Sequence, residues 1–145
     1  MLGVYRWFTA VLFAAVVVQV GAAGYGIFHA VEKADDDGQV AKKTLENGFD
    51  FHSALGTIII AAMLVLLVAT AAGRLGRTKL KWTGGLFVLG ILQMLFAELG
   101  GAVPALGFLH PVNALVLFAV TGLMAQAAWR EARALDAVPA VTPSA

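Results

Sequence analysis

Four long apolar stretches, separated by short charged segments, constrain this chain more than any other feature. They cover residues of about 5–28, 51–72, 82–103 and 108–129. A hydrocarbon core about 30 Å thick is crossed by roughly 20 apolar residues in a helix, and each stretch reaches that length. An apolar segment in lipid must satisfy its own backbone hydrogen bonds, which selects the helix. The sequence therefore predicts an all-α fold, an integral membrane four-helix bundle over residues 1–133. A flexible tail, 134–145, with Pro139 and Pro143, follows it. Composition agrees: 60% of the 145 residues are apolar and 13% charged, too little polar surface for a soluble domain.

The cations set the expected orientation. Arg6, Arg74, Arg77, Lys79, Lys81, Arg130 and Arg133 fall on one side of the four spans. The other side has Lys33, Lys42 and Lys43 among Glu32, Asp35, Asp36, Asp37, Glu46 and Asp50. The positive-inside rule then places the 74–81 loop and both termini in the cytoplasm of a bacterial inner membrane, with the acidic 30–48 loop outside. Within that loop a little helix is expected at most around 40–45. Gly21-Ala22-Ala23-Gly24 would suit signal-peptide cleavage, but the apolar run is too long for a signal core, and a retained span is expected. Trp7, Trp82 and Trp129 lie at cytoplasmic span ends, where indoles anchor.

Chemistry is narrowed by what is missing. Without cysteine there is no thiolate, iron–sulfur cluster or disulfide. A net charge of +1 leaves no footprint for nucleic acid. Neither a nucleophile–base constellation nor a phosphate loop is visible, so enzymatic turnover has no motif to support it. The lipid bilayer is the expected partner, and a homodimer or a larger membrane complex is the expected setting for so small a bundle.

Shifting the chain by 74 residues lays the first span on the third: Phe13 on Phe87, Gln19 on Gln93, Ala23 on Ala97, Gly26 on Gly100. A shift of 58 lays Phe51-His52-Ser53 on Leu109-His110-Pro111. The pattern predicts two pseudo-symmetric helical hairpins related by an axis along the membrane normal. His52 and His110 would then lie at one depth, in the first turns of the second and fourth spans, facing each other. Asp50 reads as the N-cap of the second span and Pro111 as a first-turn residue of the fourth.

Polar groups in a bilayer are costly and call for a functional reading. Two neutral imidazoles on different helices can bind a haem iron from both faces. His52 and His110 are thus the expected metal ligands of a haem b. Small residues on the first and third spans, Gly24 and Gly100 among them, would admit the porphyrin; equally, they would serve close helix packing. Glu98 would hydrogen-bond a ligand histidine as an outer-shell carboxylate, or reach out to the headgroups. Gln19 and Gln93 would hold the bundle's register by bonding each other, Asn113 or Thr57. His29 reads as an interfacial residue, with a three-histidine metal site (His29, His52, His110) as the lesser alternative.

The motifs Phe51-His52-Ser53-Ala54-Leu55-Gly56 and Leu109-His110-Pro111-Val112-Asn113-Ala114 resemble the second- and fourth-helix positions of one half of a haem A synthase. The chain also resembles small four-helix bacterial membrane proteins that share the second opening. The first resemblance implies a four-helix half with haem on those two histidines. Three departures limit it: four spans instead of eight, Phe49 at the position of the family's catalytic glutamate, and no cysteine pair. Oxidation of a haem methyl group is therefore not implied. The expectation is a membrane b-type haem protein for electron transfer or haem handling. A cofactor-free accessory subunit is the alternative, and a small oligomeric transporter or quinone-site protein using Glu98 is a further one.

Overall fold

The computed structural model describes residues 1–137, an all-α bundle with no strand among them. Four helices follow in order: α1 (Leu2–Glu32), α2 (Lys42–Ala72), α3 (Arg77–Ala102) and α4 (Pro104–Asp136). All four are long and apolar enough to cross a membrane. The arrangement is a closed ring in which α1 packs on α2 and α4, and α3 on α4 and α2, with no close backbone approach across either diagonal. Of the four interfaces, α2–α3 is the slackest.

The connections explain the shape. Residues 33–41 form a turn in which Asp35 Oδ1 accepts from the Gln39 amide at 2.6 Å. At the opposite end α2 closes with Arg74 in left-handed conformation (φ 49°), the Arg74 amide donating to Ala71 O and the Leu75 amide to Thr70 O. That pair of hydrogen bonds is the Schellman arrangement, and Leu75 packs back on the core as its apolar partner. Gly76, at φ 98°, starts α3 in a conformation that a side chain would strain. Between α3 and α4 stands only Val103, extended at φ −131° and ψ 98°. Pro104 follows at the first helical position, where its missing N–H costs nothing.

All four helices start before the expected spans, α1 at Leu2 and α3 at Arg77 among them, and two of the starts change how residues read. α2 begins at Lys42, not near 51, so Asp50 is a mid-helix residue and not an N-cap. Good helix formers at 42–46 and the Lys42–Glu46 pair (3.5 Å) carry the helix outward. Gly48 does not break it, because a Cβ there would lie 3.1 Å from Gly26 O; the glycine is a packing contact with α1. α4 likewise begins at Pro104, which leaves Pro111 inside the helix, not in its first turn. His52 and His110 consequently sit beyond the first turns of their helices. α4 also continues through Asp136, past the expected start of the tail at 134. The rest of that tail, 138–145, lies outside the described residues.

The core is narrow: Tyr5, Leu12 and Val16 of α1, Ile59, Met63 and Leu66 of α2, Leu86 of α3, and Leu117, Met124 and Ala128 of α4. One buried threonine from each helix joins it, Thr9, Thr70, Thr83 and Thr121. Each hydroxyl donates to a carbonyl three or four residues back, at 2.7–3.0 Å for the shortest bonds. A polar group is thus satisfied within its own turn while the side chain stays small enough for close packing. Outward the helices present Val11, Ile58, Val65, Val88, Leu95 and Leu115, all exposed, where a soluble bundle would carry a polar face. At the basic end Trp7 meets Trp129 edge-on (centroids 5.0 Å apart), and the Arg6 guanidinium lies 4.9 Å from the Trp129 ring centre.

Candidate functional site

Toward the acidic end the ring of helices surrounds a cavity of about 210 Å³, with walls from all four helices. Two imidazoles meet there across the diagonal: the His52 and His110 ring centroids are 6.2 Å apart, their planes inclined at 59°. Both rings are held by a glutamine of the neighbouring helix. His52 Nδ1–H donates to Gln19 O (3.2 Å), while Gln19 Nε2 donates back to His52 O (2.8 Å). His110 Nδ1–H donates to Gln93 O (3.0 Å). A backbone carbonyl can only accept, so the proton of each neutral ring sits on Nδ1, and Nε2 keeps its lone pair.

The two Nε2 atoms differ in what they meet. Gln93 Nε2 donates to His110 Nε2 (3.1 Å), and Gln93 Oε1 accepts from Asn113 Nδ2 (2.7 Å). Asn113, 7% exposed, also donates to Leu89 O (2.9 Å) and so ties α4 to α3. His52 Nε2 has no hydrogen-bond partner among the described residues, and neither has the buried Gln19 Oε1. Two unpartnered acceptors thus belong to residues that wall the cavity. Asn113→Ala is expected to cost about 1–2 kcal/mol in a denaturant titration of the detergent-solubilised protein, because it releases both α3 acceptors at once.

Ring spacing discriminates between metal geometries. Two imidazoles binding one ion from opposite sides, at about 2.0–2.1 Å per bond and with each centroid about 1.2 Å behind its nitrogen, place their centroids about 6.4 Å apart; a tetrahedral angle brings them to about 5.2 Å. The observed 6.2 Å lies nearer the first value than the second. Among the described residues no group of three or more His, Cys, Asp or Glu gathers to hold a metal, which removes the three-histidine alternative. Each ring has its Nδ1–H anchored on a carbonyl, as ligand histidines usually have. The cavity itself is smaller than the roughly 300–1,000 Å³ of common ligand pockets. Its walls include exposed Ser53, Thr57, Met94 and Ala97 of α2 and α3, so it opens on that slack side.

Residues 22–101 match the model of a family of unknown function, DUF6220. The chain belongs to that family. No curated protein and no solved structure matches it. The DUF6220 match runs from the acidic half of α1 to the last turn of α3, and so takes in His52 and Gln93 but not Gln19 or His110.

The remaining residues singled out in the sequence are dispersed around this DUF6220 cavity. Glu98 is exposed at its rim and makes no hydrogen bond to either histidine; Gln93 holds His110 instead. Gly24 and Gly100 do not wall the cavity. Gly24 has open space where a Cβ would lie, and Gly100 abuts Gly107 of α4. His29 stacks on Tyr25 (centroids 5.8 Å apart) and against Gly48, away from the cavity wall. Of the small residues that do shape the wall, Ala97 was among those expected, while Gly56 and Gly90 were not. A Cβ on Gly56 would sit 2.9 Å from Gln19 Nε2, and one on Gly90 2.9 Å from Met63 Sδ. Gly56 is what lets the Gln19 amide reach the α2 backbone. Gln93 bonds Asn113, as one expected pairing had it, but Gln19 bonds His52, not Gln93 or Thr57.

Proposed function

We propose that this DUF6220 member is a multi-pass protein of the bacterial inner membrane that binds a b-type haem between His52 and His110. The apolar outer face of the bundle supports insertion in lipid. The seven cations at one end and the acidic residues at the other support cytoplasmic termini under the positive-inside rule. The observation that carries the haem reading is the 6.2 Å spacing of two imidazoles whose protons are both committed to backbone carbonyls. The matched Gln19–His52 and Gln93–His110 contacts support two like hairpins, each contributing one ligand.

A bound haem supplies reversible one-electron chemistry; the rest is work for this chain's residues. Gln19 O and Gln93 O orient the two rings. For His110 to serve as the second ligand, its Nε2 would have to be released by Gln93 Nε2, which holds it at 3.1 Å. Phe49, edge-on to His52 at 5.9 Å, and the apolar wall of Ile59, Met63 and Leu117 cover the site on its inner side. Electron transfer or haem handling would be the role of such a site. The test is to express the protein with haem supply, purify it in detergent and record oxidised and reduced spectra. Six-coordinate low-spin bands that sharpen on reduction are expected. A colourless preparation, or an unchanged haem spectrum in the His52→Ala, His110→Ala double variant, would overturn the reading.

One observation favours a second reading, a cofactor-free accessory subunit. Gln93 already satisfies His110 Nε2 and Asn113 together, so half of the site is closed without any ligand. On that reading the histidines are structural, and the same double variant loses stability without any spectral change.

A further inference from the structure

A second cavity, about 570 Å³, lies between α3 and α4 at the basic end, and the haem reading does not use it. Its wall changes character along the helix axis. At the chain-terminal rim stand Thr78, Lys79, Arg130 and Glu131, with Gln126 and Tyr5 of α1 also in the wall; one to two turns further in stand Trp82, Leu123 and Met124. The register is fixed by the Lys79–Glu131 ion pair, 2.7 Å, which ties the first turn of α3 to the last turns of α4. That pair neutralises Lys79, whose side chain is 20% exposed. Arg130 has no carboxylate partner among the described residues. The site thus has a cationic, hydrogen-bonding mouth with an indole beside it and an apolar floor running toward the middle of the bundle. Leu123 and Trp82 are 56% and 48% exposed along that floor.

We infer that this cleft holds an anionic glycerophospholipid of the phosphatidylglycerol type. The phosphate lies against Arg130 and Thr78, and an acyl chain lies along Trp82, Leu123 and Met124. The polar-to-apolar gradient matches one molecule with both characters, which a free phosphate lacks. The uncompensated Arg130 selects a net negative headgroup over a zwitterionic one. Unpaired amides in the first turn of α3 add donors at the same rim. The inference rests on the membrane reading above and is independent of haem.

The experiment is native mass spectrometry of the full chain released from micelles doped with phosphatidylglycerol or with phosphatidylcholine of the same acyl chains. Phosphatidylglycerol is expected to be retained preferentially. Arg130→Gln should cut that preference about fivefold, the equivalent of about 1 kcal/mol for one basic residue. Arg133→Gln, the same change of charge outside the cleft, should leave it intact. Equal retention of the two lipids, an equal loss in Arg133→Gln, or a matching thermal shift with inorganic phosphate alone would overturn the lipid site. Fractionation of the same cells separates the two claims. Protein in the soluble fraction defeats the membrane reading and the lipid site together; protein in the membrane pellet without lipid preference defeats the lipid site only.

Discussion

His52→Ala is expected to abolish low-spin haem absorbance and to weaken haem retention by more than the roughly 10–100-fold that outer-shell changes cost at metal sites. His52 should be the more exacting of the two ligands. Its Nε2 has no competing donor, its ring is held by Gln19 O, and its backbone carbonyl accepts from Gln19 Nε2. His110 starts from a different position, because Gln93 Nε2 occupies its lone pair. Removing that competitor in Gln93→Leu is therefore expected to retain haem and shift its absorbance, while leaving the Asn113 amide short of one acceptor. Haem titration followed by optical spectroscopy reads both variants. If His52→Ala binds haem as the parent does, with the same bands, the axial assignment is wrong.

Gly100→Ala should be the most damaging small change in the bundle. The new Cβ would lie 2.6 Å from Gly107 Cα and 3.1 Å from Gly107 N. Both are backbone atoms, and the one-residue link at Val103 leaves α3 and α4 no slack to part. Overpacking of this kind costs about 1–3 kcal/mol. Gly24→Ala makes the opposite test, since nothing lies within 4 Å of its Cβ position. It should be neutral or gain up to about 1 kcal/mol through helix propensity. Reversible unfolding in mixed micelles measures the difference. Equal stability of the two variants would mean that the Gly100–Gly107 approach is not a constraint.

How far the sequence could be read depended on what each residue's neighbours were. The four helices were legible because apolar length is a property of one segment. Their starts were not: Lys42–Gly48 looks like acidic-loop material until Gly48 is seen against Gly26, and that contact belongs to two segments at once. The meeting of His52 and His110 could be anticipated from the shared offset. The contact that aims them could not, because an amide in a span has several partners within reach, and only packing chooses Gln19 for His52 and Gln93 for His110. Thr9 and Thr83 passed as ordinary span residues, since a threonine that bonds its own turn leaves no trace in pattern. Gly56 and Gly90 were overshadowed by the glycine-rich ends of α1 and α3, where glycines are plentiful but do not line the cavity.

In each case the glutamine that orients a histidine sits on the adjacent helix of the same hairpin, α1 with α2 and α3 with α4. Direction is thus settled locally, and only distance is left to the docking of the two halves. A swing of one hairpin about the 73–76 turn would widen or narrow the gap between the rings without turning either away. Such a gap can adjust to the thickness of what enters it while the donors keep their aim.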